Sequence, residues 1–243
     1  MVFNEVQMST IFFIRHGQAS FGKENYDELS ERGCRQARLL AEHLIEHALS
    51  FDLIFTGTLE RQIKTADQLI SHLNEEGKPL PEIYRREGLN EYPTREIFEA
   101  LLPFAVQSNP ALVNDINKLM TDRRSFQKVF EAAMSLWGKG THDTPGLLSW
   151  SEFSGRVNAI VDEIMKTHGR GKSIAVFTSG GPISVVVQRT MHLSSDDTMK
   201  VAEQVVNTSV SRFKCTENRI MLATFNEYAH LEKEKDESLI TYR

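Results

Sequence analysis

Four short polar clusters carry the residues of this chain that could do chemistry, and each closes an apolar run. Arg15, His16 and Gly17 end the run TIFFI (10–14), and Thr56 through Arg61 close the run FDLIFTG (51–57). Glu91 lies in the loop after residues 81–85, and Ser179, Gly180 and Gly181 close the run SIAVFTS (173–179). Arginine offers a planar, permanently charged fork of donors, and a Gly-Gly pair at the start of a helix offers free backbone N–H groups. Such groups suit an anion. Histidine adds a side chain that changes protonation near neutrality, and a carboxyl group adds a second acid or base.

These clusters are useful together only if a scaffold brings them to one edge. Residues 10–14 predict a strand buried on both faces. Ala37, Leu40, Ala41, Leu44 and Ile45 recur at helical spacing behind a cap at Leu29-Ser30. The unit repeats with a strand at 51–57, a helix marked by Ile63, Ala66, Leu69, Ile70 and Leu73, and a short strand at 81–85. After a long interruption, Phe153, Val157, Ile160, Val161 and Ile164 form another helical stripe, followed by a strand at 173–179. The segment GGPISVVVQRTM then opens a helix with Pro182 in its first turn. Residues 209–215 and 219–225 read as a hairpin. This alternation predicts an α/β fold, a three-layer α/β/α sandwich on a mostly parallel sheet. Ligands of such sheets bind outside the carboxyl ends of the strands, where all four clusters fall.

The interruption between about 93 and 149 has Asn-Pro and Gly-Lys-Gly punctuation and weak periodicity, which predict a helical cap insertion rather than core. Phe98, Phe104, Phe126, Phe130 and Trp137 are expected to form the cap's own core before any ligand wall. The charge run 232–237 is expected to be a solvated tail. One domain over 1–243 is the default, with the cap inside it.

The chain has 243 residues, 40% hydrophobic and 25% charged, the balance of a globular protein large enough to bury a core without staples. Its formal net charge of −5 supplies no basic field, so neither nucleic acid nor an anionic membrane is an expected partner. Any anion must be held by local geometry. Cys34 and Cys215 lack metal-ligand spacing and read as free thiols. With no run approaching a membrane span and no leader pattern at MVFNE, the expected location is cytoplasmic.

The ordered series IRHGQ, LSERGCRQA, FTGTLERQIKTA, GLNEY and a strand into Gly-Gly resembles the histidine phosphatase superfamily, the phosphoglycerate mutase-like fold. The similarity runs from Ile11 to about Leu231, including FNEYAHL near the end. The resemblance implies that His16 is a nucleophile accepting a phosphoryl group and that Arg15 and Arg61 clamp the phosphate. It also implies that Gln18, Ser179 and Gly180 contribute to phosphate binding, and that Glu91 serves as acid and then base. It implies no metal and no cofactor. For such chemistry one imidazole nitrogen must be free while the other is held as N–H by an acceptor, often a backbone carbonyl. Glu91 has neighbours that could compete for its role, Glu87, Glu96 and Glu99.

The chain departs from the family where the strand before Gly-Gly normally ends in a second histidine and here ends in Ser179. A hydroxyl still donates one hydrogen bond, so slowing by about 10²–10³ is expected rather than silence, and on that reading Ser179→His raises the rate. Two functions stay open: a phosphomonoester hydrolase working through a phosphohistidine at His16, attenuated by Ser179, or a weak or inactive relative that binds a phosphorylated ligand. A phosphoglycerate mutase is disfavoured because its site must be fully furnished. Arg123-Arg124 faintly resembles a mutase arginine pair but reads first as a solvated helix face. His142 and His192 are expected to be structural or exposed. GRGKS (169–173) lacks the first glycine of a phosphate loop and precedes a strand. The expected partner is a small phosphomonoester; substrate and oligomeric state are not legible.

Overall fold

The computed structural model describes residues 7–20, 25–142 and 144–242. Strand β1 (Ser9–Arg15), helix α1 (Glu31–Glu46), β2 (Leu53–Thr56), α2 (Glu60–Glu75) and β3 (Glu82–Arg85) alternate as the sequence predicts. Three helices follow, α3 (Thr94–Ser108), the short α4 (Val113–Ile116) and α5 (Arg123–Lys139), and then α6 (Trp150–His168). The chain continues through β4 (Ser173–Thr178), α7 (Gly180–Met191), α8 (Ser195–Gln204), β5 (Val210–Cys215), β6 (Ile220–Glu227) and the single turn α9 (Ala229–Glu232). Ser30 caps α1, accepting the Gly33 N–H at 3.0 Å. Ser149 and Glu152 form a reciprocal capping box that starts α6 after the loop.

The six strands lie in the order β3-β2-β4-β1-β5-β6. The first four are parallel, and β5 and β6 add an antiparallel hairpin at one edge. Alternation along the central strands divides the core in two. Ile11 and Phe13 of β1, Phe55 of β2 and Val176 of β4 face α6 and α7, where Val157, Val161, Ile183 and Val186 meet them. Phe12 and Ile14, Ile54, and Ala175 and Phe177 face the other way, against Leu40 and Leu44 of α1 and Ala66 and Leu69 of α2. Fully burying each of these large side chains contributes about 1.5–3 kcal/mol. The sheet is therefore the middle of three layers.

The register keeps the carboxyl ends level, with Arg15 opposite Thr178, and Thr56 opposite both Phe177 and Arg85. Adjacent β1 and β4 send their following helices to opposite faces, α1 to one and α7 to the other. A crevice therefore opens between the ends of β1 and β4, the place where an open α/β sheet binds ligands.

Two expectations need correction. Residues between 93 and 149 are helical, but α3 and α5 are not peripheral: Ile97, Leu101, Val129, Ala133 and Trp137 are buried in the same cluster as Phe13 and Phe55. Of the cap aromatics, Phe98, Phe126 and Phe130 pack among themselves, whereas Trp137 packs on Trp150 and Phe153 of α6, outside the segment. The charged 232–237 run is solvated as expected, Asp236 alone being half-buried, but it is not a free tail. Arg35 of α1 pairs with Glu234 and Asp236, and Leu239 just beyond is buried, its carbonyl accepting from Gln36 Nε2 at 2.7 Å. Charge composition alone does not register the apolar anchor that follows it.

Candidate active site

His16 follows the last residue of β1, and its backbone N–H continues the β1–β4 ladder to Thr178 O at 2.9 Å. Its side chain is 5% exposed. Nδ1 lies 2.7 Å from the Gly17 carbonyl, which only accepts, so Nδ1 carries the proton and Nε2 presents its lone pair. Arg61 donates from Nε to that Nε2 at 3.1 Å. Burial, reinforced by the charges of Arg61 and Arg15, holds the His16 pKa well below its ordinary value. The ring is a neutral imidazole with one fixed tautomer.

Arg15 and Arg61 are each only 8% exposed. Arg15 spends Nη1 on the Val205 carbonyl, while its Nε is buried with no hydrogen-bond partner among the described residues. Desolvation brings its pKa down to about 10, against the raising pull of Glu91. Arg61, in the first turn of α2, is braced through Nη1 by Asp27, whose other carboxylate oxygen accepts the Glu60 N–H at 2.6 Å. Two nearly buried guanidinium groups beside a neutral imidazole leave a strong local deficit of negative charge in a chain that is acidic overall.

The carboxyl group of Glu91 reaches the N-terminus of α7. Its Oε2 accepts the Gly181 N–H at 3.0 Å and Oε1 its neighbour Tyr92 N–H at 3.2 Å. Desolvation raises its pKa, outweighing the lowering effects of the Gly181 amide, Arg61 and Arg15. Gly181 is required here, since a Cβ would come 2.1 Å from Glu91 Oε1 and 2.8 Å from the Tyr92 ring. This carboxyl group takes one of the backbone N–H groups that the sequence offers to an external anion, that of Gly181. Glu99 instead pairs with Arg95 at the surface, and only Glu91 of the four glutamates contacts α7. Arg156 of α6 fixes the loop, donating from Nη2 to the Asn90 carbonyl at 3.0 Å.

Ser179 is fully buried between β4 and α7. Its Oγ accepts from Gln62 Nε2 at 2.8 Å, and the same nitrogen donates to Leu89 O at 3.1 Å. Gly180 opens α7 beside Arg15, a Cβ there falling 3.9 Å from Arg15 Cζ. The side-chain oxygen of Gln18 accepts from Ser30 Oγ at 3.1 Å and its backbone N–H donates to Gln36 Oε1 at 2.8 Å. Those partners belong to the start of α1, so the contacts of Gln18 tie down the loop after His16. Arg123 and Arg124 are exposed at the start of α5, and His192 is exposed at the end of α7.

Several contributors carry no motif in the sequence. Asn207 donates from Nδ2 to His16 O at 3.0 Å, and the Thr208 N–H reaches Arg15 O at 3.1 Å. Thr208 does so at φ +61°, in the left-handed region that a β-branched residue adopts only under strain of about 1–3 kcal/mol. Its hydroxyl donates to Asn207 O at 2.7 Å and therefore accepts from His230 Nε2 at 2.9 Å. Asp27, Gln62, Arg156 and Asn207 all act through contacts between residues far apart in sequence, which spacing cannot reveal.

A separate cavity of about 470 Å³ between α5 and α8, lined by Lys128, Glu131, Asp196 and Glu203 among others, shares no lining residue with this cluster. Among the described residues, no three or more His, Cys, Asp or Glu side chains are grouped to hold a metal. No described helix is long and apolar enough to cross a membrane. Cys34 and Cys215 are both free.

Solved structures with the same architecture establish the fold class. A phosphoglycerate mutase from Bacillus anthracis superposes with a TM-score of 0.66 at 17% identity, covering 95% of this chain and 98% of that one. A phosphoserine phosphatase from Entamoeba histolytica, solved with 3-phosphoglyceric acid, superposes with a TM-score of 0.61 at 20% identity, covering 92% and 100%. The fold is phosphoglycerate mutase-like. In sequence, a 2,3-bisphosphoglycerate-dependent phosphoglycerate mutase from Rhizobium etli is 26% identical over 213 residues, 84% of this chain and 91% of the relative. The profile of the histidine phosphatase superfamily (branch 1) matches residues 11–96 and 94–228, and the chain belongs to that superfamily.

Proposed function

We propose that this protein is a phosphomonoester hydrolase working through a phosphohistidine at His16, and that one histidine phosphatase-like domain carries it, with the segment 93–149 as an insertion whose helices α3 and α5 join the main core. The observation that carries this reading is the state of His16: Nδ1–H is locked onto Gly17 O, and Nε2 holds a lone pair against the Arg61 guanidinium, with the buried Arg15 charge also acting on the ring. The buried, unpartnered Nε of Arg15 gives the same cluster an unfilled demand for an oxyanion. A phosphate monoester placed there brings its phosphorus to Nε2 and its non-bridging oxygens to Arg15 and Arg61. Attack by Nε2 forms the N–P bond as the P–O bond to the leaving group breaks. Glu91, whose protonated form desolvation favours, gives its proton to the departing oxygen. The carboxylate then removes a proton from the water that attacks phosphorus, releasing phosphate and restoring His16. Ser179 supplies a neutral donor to the moving phosphoryl group, and no metal takes part.

A second reading, a phosphate-binding relative without turnover, is favoured by one contact: Arg61 Nε–H already occupies the His16 lone pair. In that case phosphate binds but never reaches Nε2. Steady-state hydrolysis of an aryl phosphate with and without chelator, in wild type and His16→Ala, separates the two. The hydrolase turns over, ignores chelator and loses activity with His16; the binding relative holds phosphate and releases no phenol.

A further inference from the structure

Gln62 is a fully buried amide placed immediately after Arg61, at the third position of α2. Its orientation is fixed by what it touches. Nε2 lies 3.1 Å from the Leu89 carbonyl, which only accepts, while Oε1 faces the Leu59 N–H at 3.4 Å, so reversing the amide would oppose like groups at both ends. The seat is built for it: a Cβ on Gly57 would come 1.8 Å from Gln62 Oε1.

From this seat Nε2 also donates to Ser179 Oγ at 2.8 Å. An amide nitrogen cannot accept, so the Ser179 hydrogen is not spent on Gln62. No other contact among the described residues uses it. Ser179 directly follows Thr178, whose carbonyl takes the His16 N–H, and precedes Gly180, which lies beside Arg15. The serine oxygen is thus held from the α2 side by a donor, and its hydrogen has no acceptor among the described residues.

We propose that Gln62 is a positioning residue: by donating to Ser179 Oγ, it directs the serine O–H toward a phosphoryl oxygen bound at His16. The Gln62–Ser179 pair, rather than serine alone, is the functional unit at the end of β4. This inference rests on the phosphate-site reading above but not on turnover.

The test measures inorganic phosphate affinity by titration calorimetry, together with kcat and KM for an aryl phosphate. The variants are Gln62→Glu, Gln62→Met, Ser179→Ala and Gln62→Met combined with Ser179→Ala, each checked by thermal melting. Glutamate at 62 is isosteric but, once ionised, only accepts, so it draws the serine hydrogen to itself; methionine keeps the volume and removes the donor without adding charge. Loss of a hydrogen bond to a charged partner predicts about ten- to hundredfold weaker phosphate binding for Gln62→Glu and Ser179→Ala, with a smaller loss for Gln62→Met. The decisive result is non-additivity: with Ser179→Ala in place, Gln62→Met produces no further change. Wild-type affinity in Gln62→Met, losses that multiply in the double variant, or a wild type that binds no phosphate each overturn the proposal. A wild type that binds phosphate but never hydrolyses the ester overturns the hydrolase instead, and the titration still decides the role of Gln62.

Discussion

Glu91 Oε2 accepts the Gly181 N–H at 3.0 Å, so the protein's own carboxyl group takes one of the N–H groups at the start of α7. This divides the crevice into two parts. On the proposed reading, phosphate chemistry falls to Arg15, Arg61 and His16, and proton transfer to a carboxyl group whose position and acidity are set by the helix end and by burial.

That division predicts the pH profile of kcat. Glu91 must be protonated to act as an acid, and its raised pKa keeps it so to higher pH than the ordinary value of 4.5. The rate therefore falls as pH rises through the Glu91 pKa. His16, with its pKa lowered, stays neutral and imposes no acid limb near 6.5. Glu91→Gln is expected to lose the falling limb and about 10²–10⁴ in rate. A limb that persists in Glu91→Gln belongs to another group.

Gly181→Ala tests the positioning of that carboxyl group without touching it. The new Cβ would lie 2.1 Å from Glu91 Oε1 and must displace it. We expect kcat to fall by about 10², the low end of an acid–base contribution, together with a lower melting temperature because the same Cβ meets the Tyr92 ring at 2.8 Å. Full activity in Gly181→Ala would show that the Glu91–Gly181 contact is dispensable.

Ser179→His has the opposite sign to the expectation from sequence. The serine is fully buried with its Oγ 2.8 Å from Gln62 Nε2, so an imidazole has no room unless Gln62 is shortened. Alone, Ser179→His lowers both melting temperature and rate. Combined with Gln62→Ala, it recovers stability and exceeds the rate of Gln62→Ala alone. Initial-rate kinetics on the three variants settle this, and a faster single variant refutes it.

Acid stability should report His230. It is buried against Thr208, and burial brings its pKa from 6.5 down to about 3. The unfolded chain binds this proton more readily, so the contribution is complete above pH 6.5 and is lost as pH falls toward 3, at about 1.4 kcal/mol per pH unit. His16 acts in the same direction. His230→Gln should remove one proton's share of the slope, measured by urea denaturation between about pH 6 and 4. An unchanged slope means His230 is not held neutral.

The fold was legible because its signals are local. Phe12 and Phe13 sit in a run whose neighbours pack on both faces of the sheet, and the helical stripes of α1 and α2 have the right period. Most of the cluster was legible because its motifs follow directly on strands, Glu91 alone coming from the loop beyond β3. Gln62 was not, since one amide within an amphipathic helix has no signature until Gly57, Leu89 and Ser179 surround it. Asn207 and Arg156 were hidden likewise, acting on backbone carbonyls 191 and 66 residues away. The apolar faces of α3 and α5 were obscured by charges and by Pro103 within α3, so a stretch that joins the main core read as a peripheral cap.

The most direct test of the central claim is rapid-quench transfer of label from a radiolabelled aryl phosphate to the protein, in wild type and His16→Ala, with acid and base treatment of the trapped species. The account predicts label on wild type that survives base, is lost in acid and is absent from His16→Ala. Hydrolysis without such label, or label that persists in His16→Ala, would contradict a phosphohistidine at His16.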